Sequence, residues 1–480
     1  MGDVMNQKRI IISHTPEETC LALTDGGELT YFEASRPRQV TLVGNIYLGK
    51  VQNSRPGLEA VFVDIGESKN AFLYVGDIEP TKKQNITVGQ KIPLQIIKDA
   101  FGTKGPRATT RISLPGRYLV LLPENNGGAG ISRRITDEKE ITRLRELGEE
   151  FCAKGAGVIF RTVAQGATEE VLIEDFARLS DIYAHIMKRA KELNAPALLY
   201  GDENFLRRAV RDFFTDEVDE LIVDEAAAFD EAQAAAKADA PDLLPRIKLY
   251  RDDEPIFRAF ALEEQIASLT ARIVKLKSGG YIVIDKTEAL TVIDVNTGAS
   301  AGRHDLSETA YQTNREAAAE IIRQLNLRDI GGIIIVDFID MNREEQKNAL
   351  LAYLSEMVKF DRAKTNIVGI TALGLVEITR RKMRQNLDSL IYEECPCCNG
   401  SGKILSLQTL VIRLSRELRR LERKHHAADG YDIELNPRTL GRLQKGERLN
   451  RLAAELGITL NLIDAPNLPF DQYTILTPAN

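Results

Sequence analysis

Two aspartates and two cysteines carry the sharpest chemistry in this 480-residue sequence. Asp294 ends the apolar strand "ALTVID", and Asp337 ends the run "IIIV". Each is expected at a strand's carboxyl end, where α/β sheets gather their ligands. Period-two alternation puts Asn296 on the face of Asp294. Two carboxylates with an amide beside them suit Mg2+, which takes few protein oxygens and keeps several waters. An ion held that way activates water and offsets charge on a phosphoryl oxygen. Aspartate is also a turn former and helix cap at strand ends, and Asp285 and Asp340 compete for the metal role on spacing alone. The cysteines stand in "CPCCNGSG": Cys395 and Cys398 have the spacing of half a tetrahedral zinc site. The other cysteines (Cys20, Cys152, Cys397) and the histidines (His14, His185, His304, His425, His426) supply no second CxxC or paired-histidine half. Cys20 and Cys152, in "TCLALT" and "EEFCAKG", read as packed thiols.

These residues need elements to hold them. Residues 278–380 alternate as a layered α/β domain: the hairpin "GGYIVIDKTEALTVIDVNTG", a helix, the strand "GGIIIVDFID", a helix and the strand "TNIVGIT". Residues 41–112 read as five short strands, which suit a small OB-type barrel. In its second strand Val61, Val63 and Ile65 share one face, and in its third Ala71, Leu73 and Val75 do. With the aliphatic faces inward, Phe62, Phe72 and Tyr74 are left on the polar face. Rings there beside Lys104 and Arg107 form a stacking platform for single-stranded nucleic acid, at ~1–3 kcal/mol per stacked base; a neighbouring domain covering the rings is the competing reading. Residues 113–205 read as a mixed α/β module with strands near "YLVLLP" and "AGVIFRT" and a helix near 170–193. Residues 206–240 read as largely helical. A basic amphipathic helix, "TLVIRLSRELRRLERKHH", follows the cysteines, and a small α/β segment closes the sequence.

Composition narrows the class. Hydrophobic residues at 43% and charged residues at 28% are those of a soluble globular protein. No apolar run approaches the ~20 residues of a membrane span, and "MGDVMNQKRIIISHTPEE" has no signal-peptide core. Five cysteines do not make a disulfide framework. The expected compartment is the cytoplasm. The formal charge of −7 argues against nucleic acid until its distribution is read: residues 41–135 hold 13 Lys and Arg against 7 Asp and Glu, so the window is +6 and the remainder −13. A local basic footprint is what a polyanion meets.

Several stretches then coincide. "LTVIDVNTG", "GGIIIVDFIDM", "CPCCNGSG", "GRYLVLLP", "GISRRI" and "FRTVAQG" together resemble the ribonuclease E/G family of bacterial endoribonucleases over nearly the whole sequence, nearer its ribonuclease G branch. The resemblance implies an OB-type RNA-binding barrel (41–112) inserted in a ribonuclease H-like domain (1–40 and 206–269). It further implies a 5′-end sensor (113–205), a deoxyribonuclease-I-like catalytic domain (270–390), a zinc link (391–404) and a small C-terminal domain (405–480). Asp294 and Asp337 match the family's Mg2+-binding catalytic aspartates, and Asn296 its supporting amide. Phe62 and Phe72 match its RNA-stacking positions, with Lys104 the adjacent cation. Gly116, Val120, Arg161 and Thr162 match its 5′-monophosphate pocket, where a guanidinium, a hydroxyl and backbone N–H groups suit a terminal phosphate. Lys364 stands where family members carry a supporting arginine, keeping the charge without the bidentate fork. Cys397 is a second departure.

The family also implies where the missing zinc ligands are. A second copy of the chain supplies the other CxxC, giving Zn2+ four thiolates across a two-fold axis in a homodimer or homotetramer. A redox CxxC would follow a strand and open a helix, whereas Gly400 and Gly402 follow here, as in a zinc knuckle. The implied activity is Mg2+-dependent cleavage of single-stranded A/U-rich RNA to 5′-phosphate and 3′-hydroxyl ends. Stimulation by a 5′-monophosphate and roles in rRNA and tRNA processing and mRNA decay come with it. A non-catalytic RNA-binding scaffold and a phosphodiesterase for DNA or small esters are the alternatives. Cleavage with and without Mg2+, and RNA against DNA of equal sequence, separate them.

Overall fold

A computed structural model of the protein describes residues 7–36, 41–55, 59–79, 86–100, 104–123, 128–153, 155–201, 205–298, 306–361, 363–382, 387–398, 400–425, 430–443 and 448–476. His304 and His426 lie outside the described residues, as do two residues of "GTKGPRATT". The chain divides into two units, Met1–Asp388 and Ser389–Asn480.

The first unit holds several separate cores. One belongs to a five-stranded sheet in the order Ile247–Leu249, Glu220–Val223, Lys8–His14, Thr19–Asp25, Glu28–Ser35, so it joins segments about 200 residues apart in sequence. Ile10, Ile12, Leu21, Leu221 and Val223 pack there against the helices Phe205–Phe213 and Ala226–Asp239. Residues 206–240 are largely helical as expected, but the unforeseen strand Glu220–Val223 divides the two helices. "ELIV" is central, flanked by parallel partners on both edges. Buried strands of that kind lose the polar alternation that marks an amphipathic strand.

The barrel closes on itself. Strands Ile46–Arg55, Ala60–Asp64, Ala71–Tyr74, Arg107–Thr109 and Lys91–Lys98 follow one another, and the last pairs back onto the first. Its interior is Val61, Val63, Ala71, Leu73, Leu94 and Ile96, as alternation leads one to expect, except that Val75 is exposed because the strand ends at Tyr74 and a 3-10 turn begins. A sixth strand, Ala197–Tyr200, pairs onto the outer edge of Ile46–Arg55. The chain is therefore a mixed α/β protein with a closed five-stranded barrel, consistent with an OB-type domain.

Beside the barrel, a four-stranded sheet (Ala129–Ile131, Gly157–Phe160, Leu119–Leu122, Leu114–Pro115) packs against the helices Glu138–Ala153 and Glu169–Glu192. Phe151 stacks on Phe176 with ring centroids 4.2 Å apart. The Glu138–Ala153 helix was not among the expected elements, although Leu144, Leu147 and Phe151 recur on one face.

The six-stranded sheet runs Ile273–Lys275, Tyr281–Lys286, Leu290–Asn296, Gly332–Asp337, Val376–Arg380, Thr365–Ile370. Helices Leu306–Leu327 and Glu344–Met357 bury Ala317, Ile321, Leu325, Leu350 and Leu354 against the face bearing Ile293, Val295, Ile334 and Val336. The opposite face is the one that matters for chemistry.

The second unit has a three-stranded sheet, Leu460–Asp464, Tyr431–Leu435, Tyr473–Leu476, under the helices Leu407–His425, Pro437–Leu443 and Arg448–Leu456. Among the described residues no helix is long and apolar enough to cross a membrane.

Candidate active site and its surroundings

Asp294 and Asp337 are register partners on adjacent parallel strands, which places their Cα atoms ~4.8 Å apart. Both are exposed on the face away from the two helices, while their neighbours Ile293 and Val336 are fully buried. Alternation thus does the positioning: a core residue on one side fixes a carboxylate on the other. The Asn296 Nδ2 donates to Asp294 Oδ2 at 2.8 Å. Strand pairing continues to Asn296, so Asp294 lies two residues inside the strand end. A Cβ on Gly280 would stand 2.7 Å from the Asn296 carbonyl oxygen, so the hairpin partner can approach this end only as glycine.

The segment after Asp337 is held from below. Asn314, fully buried on the Leu306–Leu327 helix, donates to the Ile339 carbonyl at 2.7 Å and accepts from its amide at 3.0 Å. Of the competing aspartates, Asp285 is gripped by both arms of Arg272 at 2.5 and 2.6 Å, and this pair holds its carboxyl below the ordinary value. Asp337 has no hydrogen-bond or ion-pair partner among the described residues. Two neighbouring exposed carboxylates, one steadied by an amide and neither matched by a cation among the described residues, form an oxygen set that fits a hard divalent ion retaining its waters. Among the described residues no cluster of three or more His, Cys, Asp or Glu side chains is placed to hold a metal.

On the barrel, Phe62 and Phe72 are register partners with ring centroids 5.3 Å apart, and Phe72 meets Tyr74 edge-on at 4.4 Å. Phe62 and Phe72 are half-buried, Tyr74 is exposed, and the Arg107 guanidinium lies 4.7 Å from the Tyr74 ring centre. Lys104 is exposed at the start of the segment that pairs beside them. The aromatic row is a surface feature with a cation already on it.

Gly116, Val120 and Arg161 also come together. Val120 opposes Ile159, so Val120, Ile159 and Arg161 line one side of the small sheet. Arg161 Nη1 donates to the Gly116 carbonyl at 2.7 Å. A side chain at Gly116 is blocked by Asp175, whose Oδ2 would lie 2.5 Å from a Cβ there. Thr162 is exposed, its hydroxyl 3.0 Å from that of Ser132. Lys364 is exposed on the segment after Asp361, and Arg134 links that segment to this module through a 2.9 Å bond to the Asp361 carbonyl.

Asp212 was not foreseen from sequence. Arg161 Nη2 donates to its Oδ1 at 2.7 Å, and Arg211 grips the same carboxylate at 3.1 and 3.0 Å. Burial opposes ionisation of Asp212, but the Arg211 and Arg161 guanidiniums overcome it and hold its carboxyl below the ordinary value. "AVRDFF" is an ordinary helix; only the packing of Phe205–Phe213 against the small sheet brings the groups together.

In the second unit, the Cys398 amide donates to the Cys395 carbonyl at 3.3 Å and the Gly402 amide to Cys398 Sγ at 3.3 Å. Amides of Cys397 and Cys398 directed at the Cys395 sulfur lower its pKa. Gly400 and Gly402 take φ of +77° and +67°, which the tight turn requires. A sulfur met by backbone N–H groups, as that of Cys395 is, favours the thiolate, the form zinc binds. Burial and the Cys395 sulfur raise Cys397 instead. Cys20 is buried with its thiol on Glu18, and burial pushes its pKa up, as a packed thiol.

Comparison with known proteins places this architecture. The profile of the "Ribonuclease E/G family" matches residues 113–383. Ribonuclease G of Escherichia coli (strain K12) is 38% identical over 462 residues, 92% of this chain and 94% of that protein. Ribonuclease G of Haemophilus influenzae is 38% identical over 433 residues, 87% of this chain and 88% of its own length. Ribonuclease E of Nostoc sp. is 39% identical over 377 residues, 76% of this chain and 55% of that longer protein. On this extent of identity, the chain belongs to the ribonuclease E/G family of endoribonucleases.

Proposed function

We propose that this endoribonuclease hydrolyses single-stranded, A/U-rich RNA at the Asp294–Asp337 pair, leaving 5′-phosphate and 3′-hydroxyl ends. The observation that carries the reading is two exposed carboxylates at paired positions of adjacent parallel strands, with no cation paired to them among the described residues. Asp294 and Asp337 would hold Mg2+, which when bound supplies a polarised water and charge against the phosphoryl oxygen. Asn296 orients Asp294, and Asn314 fixes the segment that carries Asp337. Water adds to phosphorus, the P–O3′ bond breaks, and the departing oxygen takes a proton to become the 3′-hydroxyl.

Phe62, Phe72 and Lys104 would hold the strand by stacking and charge. Gly116, Val120, Arg161, Thr162 and Lys364 would receive a 5′-monophosphate and so stimulate cleavage. We assign 1–40 and 206–269 to the ribonuclease H-like domain, 113–205 to the sensor and 270–390 to the deoxyribonuclease-I-like domain. Cys395 and Cys398 of two copies would share Zn2+ in a homodimer or the dimers of a homotetramer. A cytoplasmic enzyme of rRNA and tRNA processing and mRNA decay fits free cysteines throughout.

The test is a 5′-monophosphorylated A/U-rich oligoribonucleotide incubated with the purified chain, with and without EDTA, beside Asp294→Asn and Asp337→Asn. Loss of a metal ligand should lower kcat by roughly three orders of magnitude, with RNA affinity in EDTA within about twofold. Wild-type turnover in either variant removes that residue from the site.

A further inference from the structure

The helix Leu407–His425 carries six Lys and Arg against two Glu in a chain of net charge −7. Its apolar side is spent: Leu410, Leu414 and Leu418 are buried in the core of the C-terminal unit with Tyr431 and Ile433. Its two acids are engaged as well. Glu417 accepts from the Tyr473 hydroxyl at 2.9 Å and Glu422 from the Tyr431 hydroxyl at 3.2 Å. Arg419 pairs with Glu455 at 2.7 Å. What remains outward is Arg413, Arg416, Arg420 and Arg423, all exposed. Arg413, Arg416 and Arg423 have no ion-pair partner among the described residues, and Arg420 reaches Glu417 only at 3.8 Å.

Spacings of three, four and three residues keep these arginines on one helix face and step them ~4.5 to 6 Å along the axis. A nucleic-acid strand carries a phosphate about every 3.4 Å of its axis, so the row offers one guanidinium per one to two phosphates. Four like charges in line, three of them without an ion-pair partner among the described residues, repel one another unless a polyanion lies along them.

We propose that this arginine row is a second RNA-binding surface, separate from the aromatic barrel face, that grips the phosphate backbone without reading bases. Single-stranded RNA fits better than a membrane, because a basic helix binds a bilayer by inserting its apolar side and here that side is core. The inference takes RNA as the polyanion from the proposed function but does not depend on cleavage at Asp294 and Asp337.

The experiment measures binding of a 20-nucleotide single-stranded RNA to the full chain in EDTA across a salt series. The variants are R413Q/R416Q/R420Q/R423Q, the two halves R413Q/R416Q and R420Q/R423Q, and the charge-keeping R413K/R416K/R420K/R423K. The slope of log Kd against log salt should become shallower by about 2 to 3 in the quadruple Gln variant and by about half that in each half. The Lys variant should keep the wild-type slope, and circular dichroism should be unchanged. If the quadruple variant does not fold, the halves carry the test. Wild-type slopes in both halves overturn the proposal. So does wild-type binding to phosphatidylglycerol vesicles that the Gln variants lose while their RNA slopes stay unchanged. Absence of cleavage by the wild type, with the slope change present, would sink the catalytic reading alone.

Discussion

At the scale of single residues, the most informative contact is Arg161 with Asp212. Arg161 would meet only the terminal phosphate of an RNA, so Arg161→Ala should abolish the preference for 5′-monophosphate over 5′-hydroxyl ends. Basal cleavage should be spared. Rates on two oligonucleotides identical except at the 5′ end read this out, and equal slowing of both would make Arg161 structural. Asp212 bears on the same preference from the opposite side. Its carboxylate already occupies one arm of the Arg161 fork, and it offsets charge that a phosphate would use. Asp212→Asn should raise the preference about three- to tenfold, ~1 kcal/mol for a partly screened charge; a fall would show that it positions Arg161 instead. The sign with pH follows from its folded pKa lying below the ordinary value. Its stabilisation is complete above the unfolded carboxylate pKa of ~3.9 and is lost as pH falls through the folded value. Between pH 6 and 9, Asp212→Asn should therefore leave the shape of the cleavage profile unchanged.

At the scale of elements, two strands and one arginine hold the working surfaces. Ala60–Asp64 and Ala71–Tyr74 present Phe62 and Phe72 as partners, and stacking acts on bound substrate and transition state alike. Phe62→Ala and Phe72→Ala should raise KM for long single-stranded substrates, ~1–3 kcal/mol per lost base contact, with kcat little changed. Unchanged affinity in both would exclude the rings from RNA binding. Arg380 ends the strand Val376–Arg380, which flanks Gly332–Asp337. Its side chain is 3% exposed and bonds Asp361 at 2.8 and 3.2 Å, Asp329 at 3.0 Å, the Asn326 side chain at 3.0 Å and the Ile330 carbonyl at 3.0 Å. Arg380→Met should destabilise the fold by ~3–5 kcal/mol, because two buried carboxylates lose the Arg380 guanidinium. Urea midpoints check this, and a shift under ~1 kcal/mol would mean that water replaces the guanidinium.

At the scale of the whole molecule, a single CxxC cannot complete a tetrahedral zinc site, so its occupancy reports assembly. Cys395→Ser with Cys398→Ser should release zinc and convert dimer to monomer in sedimentation, from a starting content of about one zinc per two chains. One zinc per chain in a monomer would point to Cys397 as a further ligand and end the shared-site reading. Charge is distributed at this scale too. The +6 window of residues 41–135 and the arginine row of Leu407–His425 are basic regions in a chain of net −7. Association with RNA should therefore weaken steeply with salt, although the overall charge has the wrong sign.

What sequence by itself determined were features written in local periodicity and spacing. Alternation of small strands put Val61 and Val63 inside the barrel and Phe62 outside, because a strand's two faces are set by residue parity. The same parity set Asp294 apart from Ile293. Residues distant in sequence were decided only by tertiary structure. That Asp294 faces Asp337 depends on which strands pair and in what register, a non-local choice made by packing against Leu306–Leu327 and Glu344–Met357. The Glu220–Val223 strand lacked alternation because it lies between two parallel partners. Asp212 gave no signal because a helical aspartate acquires its meaning from the arginine that another element brings to it, 51 residues away in sequence. Spacing did not exclude Asp285 and Asp340 beside Asp294 and Asp337, whereas the structure gives Asp285 an arginine partner and Asp294 an asparagine.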